Sequence, residues 1–274
     1  MRNKEKTEEV TQNGDLLSRL LLVFGTALLI IALCIAGYLV WQYIDARLHY
    51  SHIQALARPE FNFDDSGEYD DSLENLVFNW DQLREINPDI VAWIIIPKTH
   101  IDYPVVQGDD NEYYLSHLYD GSYSSSGAIF ADCQGIRTLD AQNNIIYGHI
   151  MVDNSMFTDI LRYNNQDFFD RHRTVYLCTP QMNYELCVIA NLEITEDTPI
   201  RLFEFADEDD FQSYLHDMLA APITAASDLT SNIDSTEALY SLITCKSFNY
   251  STDRVVLCCV PVRSAVPART QSQE

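Results

Sequence analysis

The stretch from Leu20 to Ile44 carries no charged side chain, and its strongly polar members are Thr26 and Gln42. As a helix it extends roughly 37 Å at 1.5 Å per residue, more than a hydrocarbon core of about 30 Å. The spacing therefore predicts a transmembrane anchor over 20–44 with a tail over 1–19 before it. A cleaved signal peptide would have a shorter apolar core followed by a small-residue cleavage site, and none follows Trp41. Arg2, Lys4, Lys6 and Arg19 precede the span, whereas Arg47 and Arg58 are the basic residues shortly after it. That asymmetry keeps the N-terminus in the cytoplasm and sends the rest outward, as a single-pass protein of the cell membrane.

Basic and acidic residues balance in the tail, so the net charge of −24 belongs to the segment beyond the span. Such a surface repels nucleic acid and anionic lipid, which excludes both as partners of the outer segment; the membrane contact is the N-terminal helix. Seven cysteines in an exported chain raise the question of disulfides. Cys178 and Cys187 flank a Pro-containing turn and are the pair whose spacing invites one. The segment is long enough to bury a core without staples, however, so most cysteines are expected as small buried apolar residues.

Residues 45–70 are polar and acidic, with Pro59 and Gly67, and read as a helical stalk giving way to a linker. Asp71-Ser72-Leu73-Glu74 resembles a capping box, and Leu73, Leu76, Val77, Trp80 and Leu83 recur at helical spacing up to Pro88. From Ile90 the pattern turns to short strands: 90–96, 101–106, 128–131, 144–147, 174–179 and 184–192. Turns such as Gln107-Gly108-Asp109-Asp110 separate them. Two helical insertions are expected, one over 154–163 and one over 207–219, where Phe211, Tyr214, Leu215, Met218 and Leu219 form an apolar stripe. Two further strands close the series, 238–245 and 254–260. Eight strands remove their edges most simply by closing into a barrel. The expected fold is thus mostly β, with a folded domain over 71–263 and a short tail over 264–274.

The last two strands carry the chemistry. They flank a polar run from Lys246 to Asp253, so antiparallel pairing puts Cys245 and Arg254 on one rim. A guanidinium beside a thiol favours the thiolate and can hydrogen-bond a developing oxyanion. A proton carrier is still needed. Of seven histidines, His149 follows the apolar strand Asn144-Ile145-Ile146-Tyr147 and a single Gly148, which sets it at a strand end where barrel loops build sites. No His-x-x-x-His or Cys-x-x-Cys spacing indicates a metal, and no glycine-rich phosphate loop appears, so no cofactor is expected.

Ser241-Leu242-Ile243-Thr244-Cys245, with Arg254 nine positions on, resembles the cysteine signature and downstream arginine of the sortases. Ile145-Ile146-Tyr147-Gly148-His149-Ile150-Met151, continuing to Ser155-Met156-Phe157, is similar to the histidine segment of class B sortases. So are Asn87-Pro88-Asp89-Ile90-Val91-Ala92-Trp93, Asp102-Tyr103-Pro104-Val105-Val106-Gln107 and Asp110-Asn111-Glu112-Tyr113-Tyr114-Leu115. The resemblance runs in family order from Asn87 to Val262. It implies an eight-stranded sortase barrel, with a helix-bearing connection from Glu193 to Glu237, on the outer face of a Gram-positive membrane. It also implies a cysteine transpeptidase that anchors surface proteins to the cell wall or assembles pili. Cys245 would attack the carbonyl after Thr in a sorting signal near the substrate's C-terminus, and the thioacyl enzyme would pass to a peptidoglycan-precursor or pilin amine. His149 would carry protons and Arg254 would hold the oxyanion. Asn111, Leu115, Ile200 and Thr244 are the implied substrate-binding residues.

Ile243 stands where the signature often carries Ser, and Ser247 where some members have Asp, which leaves the sorting motif and any fourth catalytic residue open. Two other readings compete. A papain-like or amidase-type cysteine peptidase would hydrolyse only, but those folds put the cysteine near a helix N-terminus and ahead of the histidine. A membrane-tethered binding module would keep the residues without the activity.

Overall fold

In a computed structural model of the protein, residues 2–57, 72–195, 197–246 and 252–268 are described. The linker end of the stalk, Asp71 of the expected capping box, Ser247 and the end of the C-terminal tail lie outside them. The chain divides into two units, Met1–Leu48 and His49–Glu274. In the first, the helix α1 (Arg2–Ala57) begins, and its stretch Arg19–Tyr38 is the one described helix long and apolar enough to cross a membrane.

In the second unit, the last turns of α1 lie on the barrel. Tyr50 donates its hydroxyl to the Gly127 carbonyl at 3.1 Å, and Gln54 reaches the Asp102 carbonyl at 2.8 Å. The expected helix from Leu73 to Leu83 is split. A 3-10 turn covers Leu73–Asn75, and α2 (Trp80–Ile86) starts only after Asn79, whose side chain accepts the Gln82 N–H at 3.2 Å. Ser72 makes no capping bond. The reason is tertiary: the buried Asn183 amide takes the carbonyls of Leu73 and Leu76 at 2.8 and 2.9 Å, oxygens that a continuous helix needs for itself.

The strands are β1 (Ile90–Ile95), β2 (Asp102–Val106), β3 (Ile129–Ala131), β4 (Asn143–Tyr147), β5 (Thr174–Cys178), β6 (Asn183–Ile194), β7 (Thr224–Ala225), β8 (Leu239–Cys245) and β9 (Arg254–Ala265). Their order is β5-β1-β2-β3-β4-β8-β9-β6, and β5 also pairs with β6, which closes an eight-stranded barrel; the two-residue β7 lies against β6. Strand β9 runs past the expected end at Val260, because Ala265 still pairs with Asn183. The expected helix over 154–163 begins later, as a 3-10 helix over Thr158–Asn164 followed by α3 (Gln166–Arg171). Asn154 and Met156 have φ of 62° and 57°, which no right-handed helix accommodates. The long connection holds α4 (Glu208–Met218), as expected, and a second helix α5 (Leu229–Ser235), which the sequence pattern did not reveal.

Two pairings matter for the site. Strands β4 and β8 are parallel neighbours, with Tyr147 opposite Ile243, and β8 and β9 are antiparallel, with Cys245 opposite Arg254. Parallel neighbours end at the same rim, and an antiparallel partner begins there. The face of β8 and β9 that includes Leu239, Ile243, Val256 and Cys258 is covered by Phe211 and Leu215 of α4 and Ile233 of α5. The connection thus roofs this side of the barrel.

Candidate active site

Cys245 closes β8 and Arg254 opens β9 directly across from it, so the two side chains share one face. His149 lies two residues beyond the end of β4, as Cys245 lies two beyond Ile243, and so belongs to the same rim. Local structure fixes its backbone from both sides. The Gly148 N–H donates to the Ile243 carbonyl at 3.0 Å, and the Phe157 N–H donates to the His149 carbonyl at 2.9 Å. An Ile150–Met156 bridge ties off the loop between them.

The imidazole is oriented as well. Nε2 lies 2.9 Å from the Leu115 carbonyl, which can only accept, so Nε2 carries a hydrogen and the hydrogen bond leaves Nδ1 out. Gly127 makes room for that carbonyl: at φ +57°, a Cβ there would fall 2.6 Å from the Tyr114 oxygen and 2.8 Å from the Leu115 oxygen. Other histidines are engaged elsewhere: His100 faces Asp159 at 2.8 Å, His216 faces Asp234 at 3.1 Å, and His172 reaches the Phe168 carbonyl at 2.8 Å.

No disulfide joins the seven cysteines. Strand register puts Cys187 opposite Thr174 and Cys178 opposite Asn183, four rungs apart. Three of the seven are buried, fewer than expected. Burial pushes the Cys258 thiol up to about 12 and Cys259 well above its ordinary value, so neither supplies a thiolate near neutral pH. Cys245 is half-exposed. Among the described residues, no group of three or more His, Cys, Asp or Glu side chains is arranged to hold a metal ion.

A groove of about 390 Å³ borders this rim, with Tyr147, Ile194, Ile243 and Arg254 on the barrel side and Pro199, Ile200, Arg201 and Leu202 of the connection also lining it. Of the expected substrate-binding residues, Ile200 lines it and Asn111, Leu115 and Thr244 do not. Ile200 lines the groove with its side chain largely in the core. Leu115 is 42% exposed beside His149. Asn111 is tied down, its amide on Asp132 at 3.0 Å and its oxygen accepting the Cys133 N–H at 2.9 Å. Thr244 is 2% exposed, faces the barrel interior by alternation, and does not line the groove.

Sequence reasoning missed Asp132, Tyr147 and Arg201 as parts of the site. The Asp132 side chain is fully buried and accepts from Arg201 Nε at 2.7 Å and Nη2 at 3.0 Å, and from the Tyr147 hydroxyl at 2.8 Å. Burial alone would raise its pKa, but the Arg201 fork, the Gln134 N–H and the Tyr147 hydroxyl outweigh burial and hold it below the usual carboxylate range. The available signal was a lone charge in apolar company: Asp132 follows Ile129-Phe130-Ala131, and Arg201 sits between Ile200 and Leu202.

No family model matches the sequence. Among curated proteins, the chain is 34% identical over 195 residues to Sortase B of Listeria monocytogenes, covering 70% of this chain and 74% of that protein. It is 30% identical over 181 residues to Sortase B of Staphylococcus aureus, covering 65% and 72%. Among solved structures, sortase B from B. anthracis in complex with AAEK1 superposes with a TM-score of 0.67 at 25% identity, over 82% of this chain and 99% of that one. Clostridium perfringens sortase B gives 0.61 at 28%, over 68% and 100%.

Proposed function

This chain belongs to the class B sortases and is a sortase cysteine transpeptidase, and from that premise we propose that it works on the outer face of the cell membrane. There it cuts the C-terminal sorting signal of a surface protein after Thr and joins the new carbonyl to a peptidoglycan-precursor or pilin amine. The apolar stretch of α1 is its anchor, with the N-terminal tail in the cytoplasm and residues 71–263 as the catalytic domain outside.

Cys245, His149 and Arg254 carry the reaction. The Cys245 thiolate attacks the Thr carbonyl carbon, and Arg254 stabilises the oxyanion with a planar set of donors. The C–N bond to the next residue then breaks, its nitrogen takes a proton from Nδ1 of His149, and a thioester remains. An incoming amine attacks the thioester, gives a proton back to His149 and expels the thiolate, so acid and base roles alternate on one imidazole. The outcome is transfer when the amine arrives before water.

The observation that supports this reading is the rim itself, where one parallel and one antiparallel pairing set the end of β4, just before His149, beside the strand ends that carry Cys245 and Arg254. The test is mass detection of a thioacyl adduct after incubation with a panel of sorting peptides. Wild type should gain the acyl mass with at least one peptide, and Cys245→Ala should gain none and cleave none. Turnover by Cys245→Ala would refute the assignment.

A further inference from the structure

The groove wall over 198–202 has no regular secondary structure, and within it only Ile200 is buried. Hollow space lies on both sides. The groove of about 390 Å³ is in front, and a second cavity of about 470 Å³, reached by Tyr214 and Met218 of α4, is behind; Thr198, Pro199 and Leu202 line both. A strip with so little packing must be held by its polar bonds. Two sets hold it. From below, the Asn143 amide donates to the carbonyls of Ile200 and Leu202, both at 2.9 Å, and the Tyr214 hydroxyl adds a bond to Ile200 at 3.1 Å. From the groove side, the Arg201 guanidinium grips Asp132 with two donors, and Nη2 also reaches Gln134 at 3.2 Å.

Asp132 does more than receive Arg201. Its Oδ2 also accepts the hydroxyl of Tyr147, which ends the strand leading to His149, and the amide of Asn111, which heads the segment ending at Leu115. Leu115 in turn carries the carbonyl that orients the His149 ring. One buried carboxylate therefore joins the groove wall to the strand that precedes His149 and to the segment whose carbonyl orients its ring.

We infer that Asp132 and Arg201 form a positioning latch that sets the wall of the sorting-signal groove relative to His149, so that the pair governs how well the peptide is held. This rests on the transpeptidase reading for its substrate, but the latch itself is a property of the fold. Arginine suits it because a planar fork fixes direction as well as charge, which the single ammonium of lysine does not.

The experiment compares wild type, Arg201→Ala, Arg201→Lys and Asp132→Asn in the full chain. It measures KM and kcat for thioacylation, thermal melting, and hydrogen exchange resolved to segments. With Arg201→Ala, KM should rise about tenfold or more while kcat stays within about threefold, the split expected for lost ground-state binding. Arg201→Lys should recover melting more than KM. Exchange should speed up over 198–205 and 111–117 but not in β1 and β5, remote from the latch. Adding Asp132→Asn to Arg201→Ala should cost less than Asp132→Asn costs in the wild-type background, because the Arg201 bonds are already gone and only those to Tyr147 and Asn111 are left to weaken. Unchanged KM in a folded Arg201→Ala protein, or exchange that is unaltered or faster everywhere alike, would overturn the latch. Failure of wild type to take up any peptide would instead sink the transpeptidase reading, and exchange would still decide the latch.

Discussion

The sharpest single perturbation is one methyl group at Gly148. A Cβ there would lie 2.5 Å from Ile129 Cδ1 and 2.7 Å from both Cδ2 and Cγ of Phe157. The isoleucine tip can swing aside at modest cost. The Phe157 contact is different, because it involves the root of a fully buried ring whose own N–H holds the His149 carbonyl. Relief therefore requires the backbone at 148–149 or 157 to move. Overpacking of this kind costs roughly 1–3 kcal/mol, which lowers the melting temperature by about 2–12 °C in a domain of this size. The same shift displaces the imidazole, and a misplacement of about 1 Å is worth about 10²-fold in rate. Gly148→Ala should accordingly melt early and lose about 10- to 100-fold in kcat for thioacylation, with Cys245 still present to be alkylated by a small thiol reagent. Melting within 1 °C of wild type and a kcat within about twofold would refute the claim that close packing at this glycine sets His149.

Two further outcomes follow from the same geometry. Arg254→Lys keeps the charge but loses the planar donor set, so thioacylation should fall by about 10²–10³-fold, as for removal of an oxyanion donor, while the protein stays folded by circular dichroism. Asp132 has a depressed folded-state pKa, so its contribution to stability is complete above the unfolded-state value of about 4 and is lost as pH falls through the lower folded value. Denaturant titrations of wild type and Asp132→Asn should differ by a constant amount from pH 5 to 8 and converge below about pH 4; a gap that widens in acid would contradict the ion pair.

The eight barrel strands were legible to within a few residues because alternation, β-branched runs and turn residues are local signals. The Cys245–Arg254 pairing was legible for the same reason, since a hairpin encodes its own register through its loop. Other features were not local. The helix expected after Ser72 depends on whether carbonyls 73 and 76 are claimed by Asn183, more than a hundred residues away. The parallel pairing of β4 with β8, on which the placement of His149 depends, leaves no mark on either strand. Local pattern set His149 apart from the other six histidines only by its place after an apolar strand and Gly148, and the family resemblance supplied its role. Asp132 and Arg201 stayed hidden because an ion pair across 69 positions has no period, and α5 because Leu229–Ser235 is short and mostly polar.

That parallel pairing also explains why the groove is where it is. Parallel neighbours cannot be joined by a tight turn, so the chain between β4 and β8 must travel the length of the barrel and return. Part of that journey, between β6 and β8, lies across the very face on which Cys245 and Arg254 stand, and its helices seal the face with Phe211, Leu215 and Ile233. Toward the rim the seal gives way to the strip at 198–202, where apolar packing is replaced by Asn143, Tyr214 and the Asp132–Arg201 fork. A wall closed by packing would have to be prised open for each peptide, losing buried area every time. Polar pins leave the groove open and still specify where its wall stands, which is the combination an enzyme needs if it must admit an extended segment of another protein and then a second, unrelated amine.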